Sequence, residues 1–147
     1  KVLEEILIKN NNIKEIEKLL IEYRDKILNK NINNPKELTI VKKVGKMPEQ
    51  YTNIPVHVSL AINRKESGER YYTSMRIPFI VLSEKPLKII YANDFKGEYD
   101  EKYYWEKQIF PPTYRLLKVV FPSYNWEKYS DGSKGMQSTI DDYLLCK

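Results

Sequence analysis

Two adjacent prolines, Pro111 and Pro112, fall inside the longest helix-like pattern of the sequence, "DEKYYWEKQIFPPTYRLLKVVF" (100–121). Each proline removes a backbone donor and crowds the preceding turn, so this segment must kink or divide. A chain built around such an element is predominantly helical but cannot be a simple bundle of straight rods. The remaining segments supply a small sheet.

Upstream, "KVLEEILIK" (1–9) reads as the end of a helix, broken by Asn10, Asn11 and Asn12, residues tolerated in turns. Ile13, Ile16, Leu20, Tyr23 and Ile27 then step by 3 or 4 residues and predict a second helix with one apolar stripe. Glu15, Glu17, Lys18, Arg24 and Lys26 are expected mostly on its wet side. "NKNINNP" (29–35) is loop, and the β-branched run "ELTIV" (37–41) predicts a strand. The stretch "KKVGKMPEQY" follows as a loop, and Asn53 is placed to cap a helix with Pro55 in its first turn. "RIPFIVLS" (76–83) and "PLKIIYAN" (86–93) predict a hairpin around "EK". Residues 122–136, rich in Gly, Ser and charge, read as a linker. The expected class is α+β: mostly helical, a small antiparallel sheet, a flexible C-terminal tail.

With 147 residues the chain suffices for one domain with a real core. Its one cysteine, Cys146, excludes a disulfide framework and a Cys-based metal site, which fits a reducing, intracellular setting. No apolar run reaches the roughly 18 residues of a membrane helix, and no signal peptide is visible. The first residue is lysine, which suggests a piece of a longer chain or a processed one. Net charge is +5, with positive charge concentrated in "KKVGK" (42–46) and "NRKESGER" (63–70) and negative charge in 94–106 and 141–142. That asymmetry suits a face that meets polyanions; a merely lysine-rich surface gives the same total.

Catalytic patterns are scarce. His57, the only histidine, has no Cys or Asp partner at ligand or triad spacing and reads as a helix-start or packing residue. No serine lies in a G-x-S-x-G turn, and five glycines provide little material for a phosphate loop. Adjacent Asp141 and Asp142 make a poor metal site alone. The residues themselves describe a binding module without an active site of its own, and no cofactor.

The segment 99–121 resembles one near the end of archaeal and viral family-B DNA polymerases. The likeness lies in Tyr103, Tyr104, Glu106, Lys107, Gln108, Ile109, Pro111, Pro112, Arg115, Leu116, Leu117 and Phe121. Upstream, "PKELTIVKKVGKMPEQY" is similar to the same family's Pro-x-x-Leu-x-Ile and polar loop, through Pro35, Leu38, Ile40, Val44, Lys46 and Tyr51, with Gly45 where a threonine is usual. "PVHVSLA" looks like its Pro-His-Val helix start and "KVLEEIL" like its entering helix; "RKESGERYYTS" departs from its basic-Gly and Pro-Gly turn. The matching region is the thumb, over residues 1–121. The resemblance implies that the catalytic carboxylates and their Mg2+ lie in a palm outside this chain. The chain is then a fragment or the small subunit of a split polymerase, working in the cytoplasm of an archaeon or of a viral host.

A polymerase holds duplex product without reading it, through phosphate contacts of Lys and Arg. The resemblance assigns that work to the loop after the first thumb strand: Lys42, Lys43, Gly45 and Lys46, with Arg64 and Lys65 as further candidates. Lys107 and Arg115 are expected to pair with Glu106 or Asp100 instead. In the tail (137–147), Gln137, Ile140, Tyr143 and Leu144 fit a sliding-clamp-binding peptide. One tight helical turn would set Ile140, Tyr143 and Leu144 to one side as an apolar plug. The expected partners are primer–template DNA, a palm-bearing large subunit and the sliding clamp, with no membrane. A stand-alone accessory protein binding DNA or the clamp is the alternative.

Overall fold

A computed structural model describes residues 12–132. They form two compact units where the sequence suggested a single domain ending at residue 121. Of the described residues, the first takes 12–31 and 101–132; the second is Ile32–Asp100. The class is α+β as expected.

In the first unit, helix α1 (Ile13–Leu28) begins where the Asn12 side chain accepts the Lys14 amide at 3.1 Å. It ends with Lys30 in the left-handed region at φ 56°. The apolar stripe is buried through Ile16, Leu20 and Ile27, joined by Ile21 and Leu28. Glu17 and Arg24, expected on the wet side, are buried too, at 4% and 2% exposure.

The reason lies in the chain beyond residue 121, which packs on this helix. Residues 122–132 are not a linker. Trp126 and Tyr129, three residues apart on a short 3-10 turn (Trp126–Tyr129), are 1% and 2% exposed. Tyr129 Oη donates to Glu17 Oε1 at 2.8 Å, and Lys128 Nζ lies 3.4 Å from the same oxygen. Arg24 donates through Nε and Nη2 to the carbonyl of Asp131, the former at 3.1 Å. Its burial drives its pKa down, opposed by Asp25 first and then Asp131 and Glu106. Buried charges persist only when paired and hydrogen-bonded, and the partners here come from the far end of the chain. At Gly132 the backbone runs so near the helix that a Cβ would lie 3.2 Å from the Lys102 Cα; its amide donates to Glu106 Oε1 at 2.9 Å.

The proline segment divides as its sequence requires. Helix α3 (Glu101–Tyr103) passes into a π-helical stretch (Tyr104–Ile109) and then α4 (Phe110–Val120). In an unbroken α-helix Pro111 and Pro112 would face the carbonyls of Lys107 and Gln108 without a donor. The widened turn, with the Phe110 amide bonded to the Trp105 carbonyl, moves both prolines into a fresh first turn, where amides have no intrahelical partner anyway. Trp105, fully buried, donates Nε1 to the Tyr129 carbonyl at 2.7 Å and packs on Phe110 with centroids 5.8 Å apart.

In the second unit, β1 (Ile40–Lys43), β2 (Arg76–Ser83) and β3 (Lys88–Tyr91) form an antiparallel sheet in that order. The first strand thus starts three residues later than the sequence suggested and takes in Lys42 and Lys43, expected in the loop. Asn34 caps a 3-10 turn (Pro35–Glu37) that displaces the strand's start. Pro78 sits beyond the β3 ladder, which ends at Phe79↔Tyr91, so β2 has one neighbour there and can spare a donor. Helix α2 (Val56–Glu66) has Pro55, not Asn53, at its cap. Ile77, Phe79, Ile80, Val81, Leu38, Val44 and Val58 form the core.

Candidate nucleic-acid interface

The cationic stretch leaves the sheet through a braced loop. Val44 is buried and extends the pairing: its amide donates to the Met75 carbonyl at 2.9 Å and its carbonyl accepts from Ser74 at 2.8 Å. The Tyr51 hydroxyl then accepts the amides of Gly45 (3.2 Å) and Lys46 (3.1 Å). Tyr71 Oη donates to the Lys46 carbonyl at 2.7 Å, and burial raises the Tyr71 pKa. Gln50 Oε1 accepts from the Met47 amide at 3.0 Å. His57 Nε2 meets the Lys43 carbonyl at 3.0 Å, the structural place its sequence context implied. Two tyrosines, a glutamine and a histidine therefore hold the backbone while the lysine side chains stay outside.

Lys42, Lys43 and Lys46 are exposed, and none forms an ion pair with a described residue. Lys46 Nζ does lie 5.8 Å from the centre of the Tyr51 ring. The pleat sends Lys42 and Lys43 to opposite faces of β1, so the cations do not share one side. Edge lysines also discourage edge-to-edge pairing of sheets. Gly45 has no left-handed φ, and a Cβ there would meet only Tyr51 Oη at 3.9 Å. Its amide is already engaged by Tyr51, which leaves no free donor for a phosphate.

Arg64 and Lys65 belong to the last turn of α2, about 12 Å along the axis from His57. Arg64 is taken up locally. Nε and Nη2 reach the Glu69 carboxylate at 2.9 Å each, Nη1 reaches Asp94 at 3.3 Å, and the guanidinium stacks 3.7 Å from the Tyr91 centroid. The hydrogen bond to Glu69 is the main reason its pKa is raised. Lys65 is exposed without a described partner. Arg115, expected in a helix ion pair, forms none with a described residue. Gln137, Ile140, Tyr143 and Leu144 lie outside the described residues, as does the apolar segment 1–9.

Sequence reasoning overlooked Arg76. It is exposed and stands directly across from Lys43 in the β1–β2 register. Only the register reveals this, because 32 positions separate the two in the chain. Among the described residues no group of three or more His, Cys, Asp or Glu could hold a metal ion, and no helix is long and apolar enough to cross a membrane.

Replacing Tyr51 with Phe should release the amides of Gly45 and Lys46. Hydrogen exchange at those two amides should accelerate, with little change in global melting temperature because both can turn to water. Unchanged exchange at both would mean the phenol does not brace the loop.

The chain is 33% identical to a DNA polymerase of Pyrococcus glycovorans over 125 residues, covering 81% of this chain and 16% of that protein. It is 31% identical to a DNA polymerase of Pyrococcus horikoshii over 125 residues, covering 81% of this chain and 10% of that protein. It thus spans only a small part of the length of these relatives. No protein-family model matches it. Among solved structures it is similar in fold to the family B DNA polymerase from the hyperthermophilic archaeon Pyrobaculum calidifontis. The TM-score is 0.54 at 18% identity, over 80% of this chain and 18% of that one. In sequence and in fold, the chain belongs with the family-B DNA polymerases, of which it corresponds to one region.

Proposed function

We propose that this chain is the thumb portion of a family-B DNA polymerase, a fragment or a separate subunit. It holds primer–template duplex through sequence-independent phosphate contacts from Lys42, Lys43 and Lys46, with Lys65 as a peripheral contributor. The observation that carries the reading is the braced cationic stretch from the end of β1 into the following loop: lysines without described acidic partners, on a backbone fixed by Tyr51, Tyr71 and His57. A fixed backbone with mobile ammonium tips suits recognition of a regular phosphate array whatever the bases. Gly45 acts in this proposal as a spacer, and Arg64 as a structural residue.

Nucleotidyl transfer and its Mg2+ fall to a palm-bearing neighbour. Leu116, Val119 and Val120 form an exposed i, i+3, i+4 strip on α4, with Val119 79% exposed, which suits such a neighbour. The tail is proposed to engage the sliding clamp through Gln137, Ile140, Tyr143 and Leu144. Co-purification with a chain carrying the palm carboxylates tests the subunit reading; recovery without such a partner favours the stand-alone accessory. Ile140→Ala with Tyr143→Ala is expected to abolish clamp-stimulated synthesis and leave clamp-free synthesis intact. Equal loss of both activities would place these side chains in the thumb itself.

A further inference from the structure

Lys43 and Arg76 face each other directly in the antiparallel register. Opposed residues on neighbouring strands have Cα atoms about 4.5–5.5 Å apart and project to the same face. Like charges so placed repel one another. Both side chains are exposed, and neither makes an ion pair or hydrogen bond with a described residue. Two other arginines are engaged: Arg24 is spent on the Asp131 carbonyl and Arg64 on Glu69 and Asp94. Two positions along the register, on the same face, Val41 and Pro78 are opposed, and Val41 is 51% exposed. Of the acids on adjoining segments, Glu69 is bound to Arg64, while Glu49 lies on the 48–50 turn and acts on Tyr71.

Two cations opposed on one face, neither paired with a described acid, together favour an anion. Arginine offers a planar fork that fits two phosphate oxygens at once, and lysine adds a movable point charge. We propose that Arg76 and Lys43 clamp a single phosphodiester of the duplex backbone between them, making Arg76 a DNA-binding residue. This rests on the duplex-holding reading above.

The test uses the full chain and a fluorescent primer–template duplex, with affinity measured over a series of salt concentrations. Arg76→Ala should flatten the slope of log K against log salt measurably but by less than one, because Lys43 still meets the shared phosphate, and the two replacements together by about one. Arg76→Lys should keep the slope and bind less tightly, because the charge remains and the fork is lost. Lys43→Ala with Arg76→Ala should differ from the sum of the single effects, since both act on one phosphate. The melting temperature of Arg76→Ala without DNA should hold or rise as repulsion is relieved. An unchanged slope in Arg76→Ala, beside a flattened one in the variant lacking Lys42, Lys43 and Lys46, overturns the clamp and leaves the duplex-holding reading standing. Unchanged slopes in both overturn the two together.

Discussion

Replacing Lys42, Lys43 and Lys46 together with alanine is expected to weaken duplex binding equally for every sequence and to make what remains less sensitive to salt. Each phosphate contact contributes about 0.9 to the slope of log affinity against log salt. Between 50 and 200 mM salt that is about a 3.5-fold loss per contact, so up to three contacts account for at most about 40-fold. The triple variant should lose that portion of the dependence. The side chains are exposed and the loop is held by Tyr51, Tyr71 and His57 rather than by the lysines; melting temperature should therefore hold. A variant that binds as tightly as the parent, with the same slope, would remove this loop from the interface. A loss confined to certain sequences would point to base reading instead, which lysine point charges do not supply.

The second large effect concerns the fold. Trp105→Ala should cost about 3–5 kcal/mol, the range for removing a buried large aromatic, and lower the melting temperature by about 10–15 °C. Trp105 has no exposed surface, packs on Phe110, lies 5.9 Å from the Arg24 guanidinium and donates to the Tyr129 carbonyl. Its loss would empty the centre of the first unit and orphan that carbonyl. Trp105→Phe keeps most of the volume and loses the donor; about 1–3 kcal/mol is expected. If Trp105→Ala melts like the parent, residues 126–131 are not packed against this ring and the linker reading of that stretch returns. Calorimetry on the full chain decides it.

What could be read from the sequence was what repeats locally. The stripe of Ile16, Leu20 and Ile27 obeys helical spacing, and the β2–β3 hairpin follows from β-branched runs around a turn. Pro111 and Pro112 announced a division because their missing donors act within one turn, although the π-helical solution was not legible. Short-range failures shifted only boundaries and caps, as at Asn34 and Pro55; the failures that misplaced buried residues are long-range. Glu17 and Arg24 look like solvated residues until Tyr129 and the Asp131 carbonyl arrive from more than 100 positions away. Trp126 and Tyr129 stand among Ser, Gly and charges that suggest a linker, yet two aromatic side chains suffice to anchor the strand of chain around them. At the candidate interface the lysines were legible as a charge run. Their distribution over two faces and the opposition of Arg76 to Lys43 needed the strands, and the engagement of the Gly45 amide needed the position of the Tyr51 hydroxyl.

The proposed function is a grip on duplex DNA through its phosphates. Titrating the 147-residue chain against two duplexes of unrelated sequence, each at several salt concentrations, addresses it most directly. Equal affinities for the two duplexes, falling together along one steep line of log K against log salt, are predicted. No binding at low salt, or an affinity indifferent to salt, would contradict it.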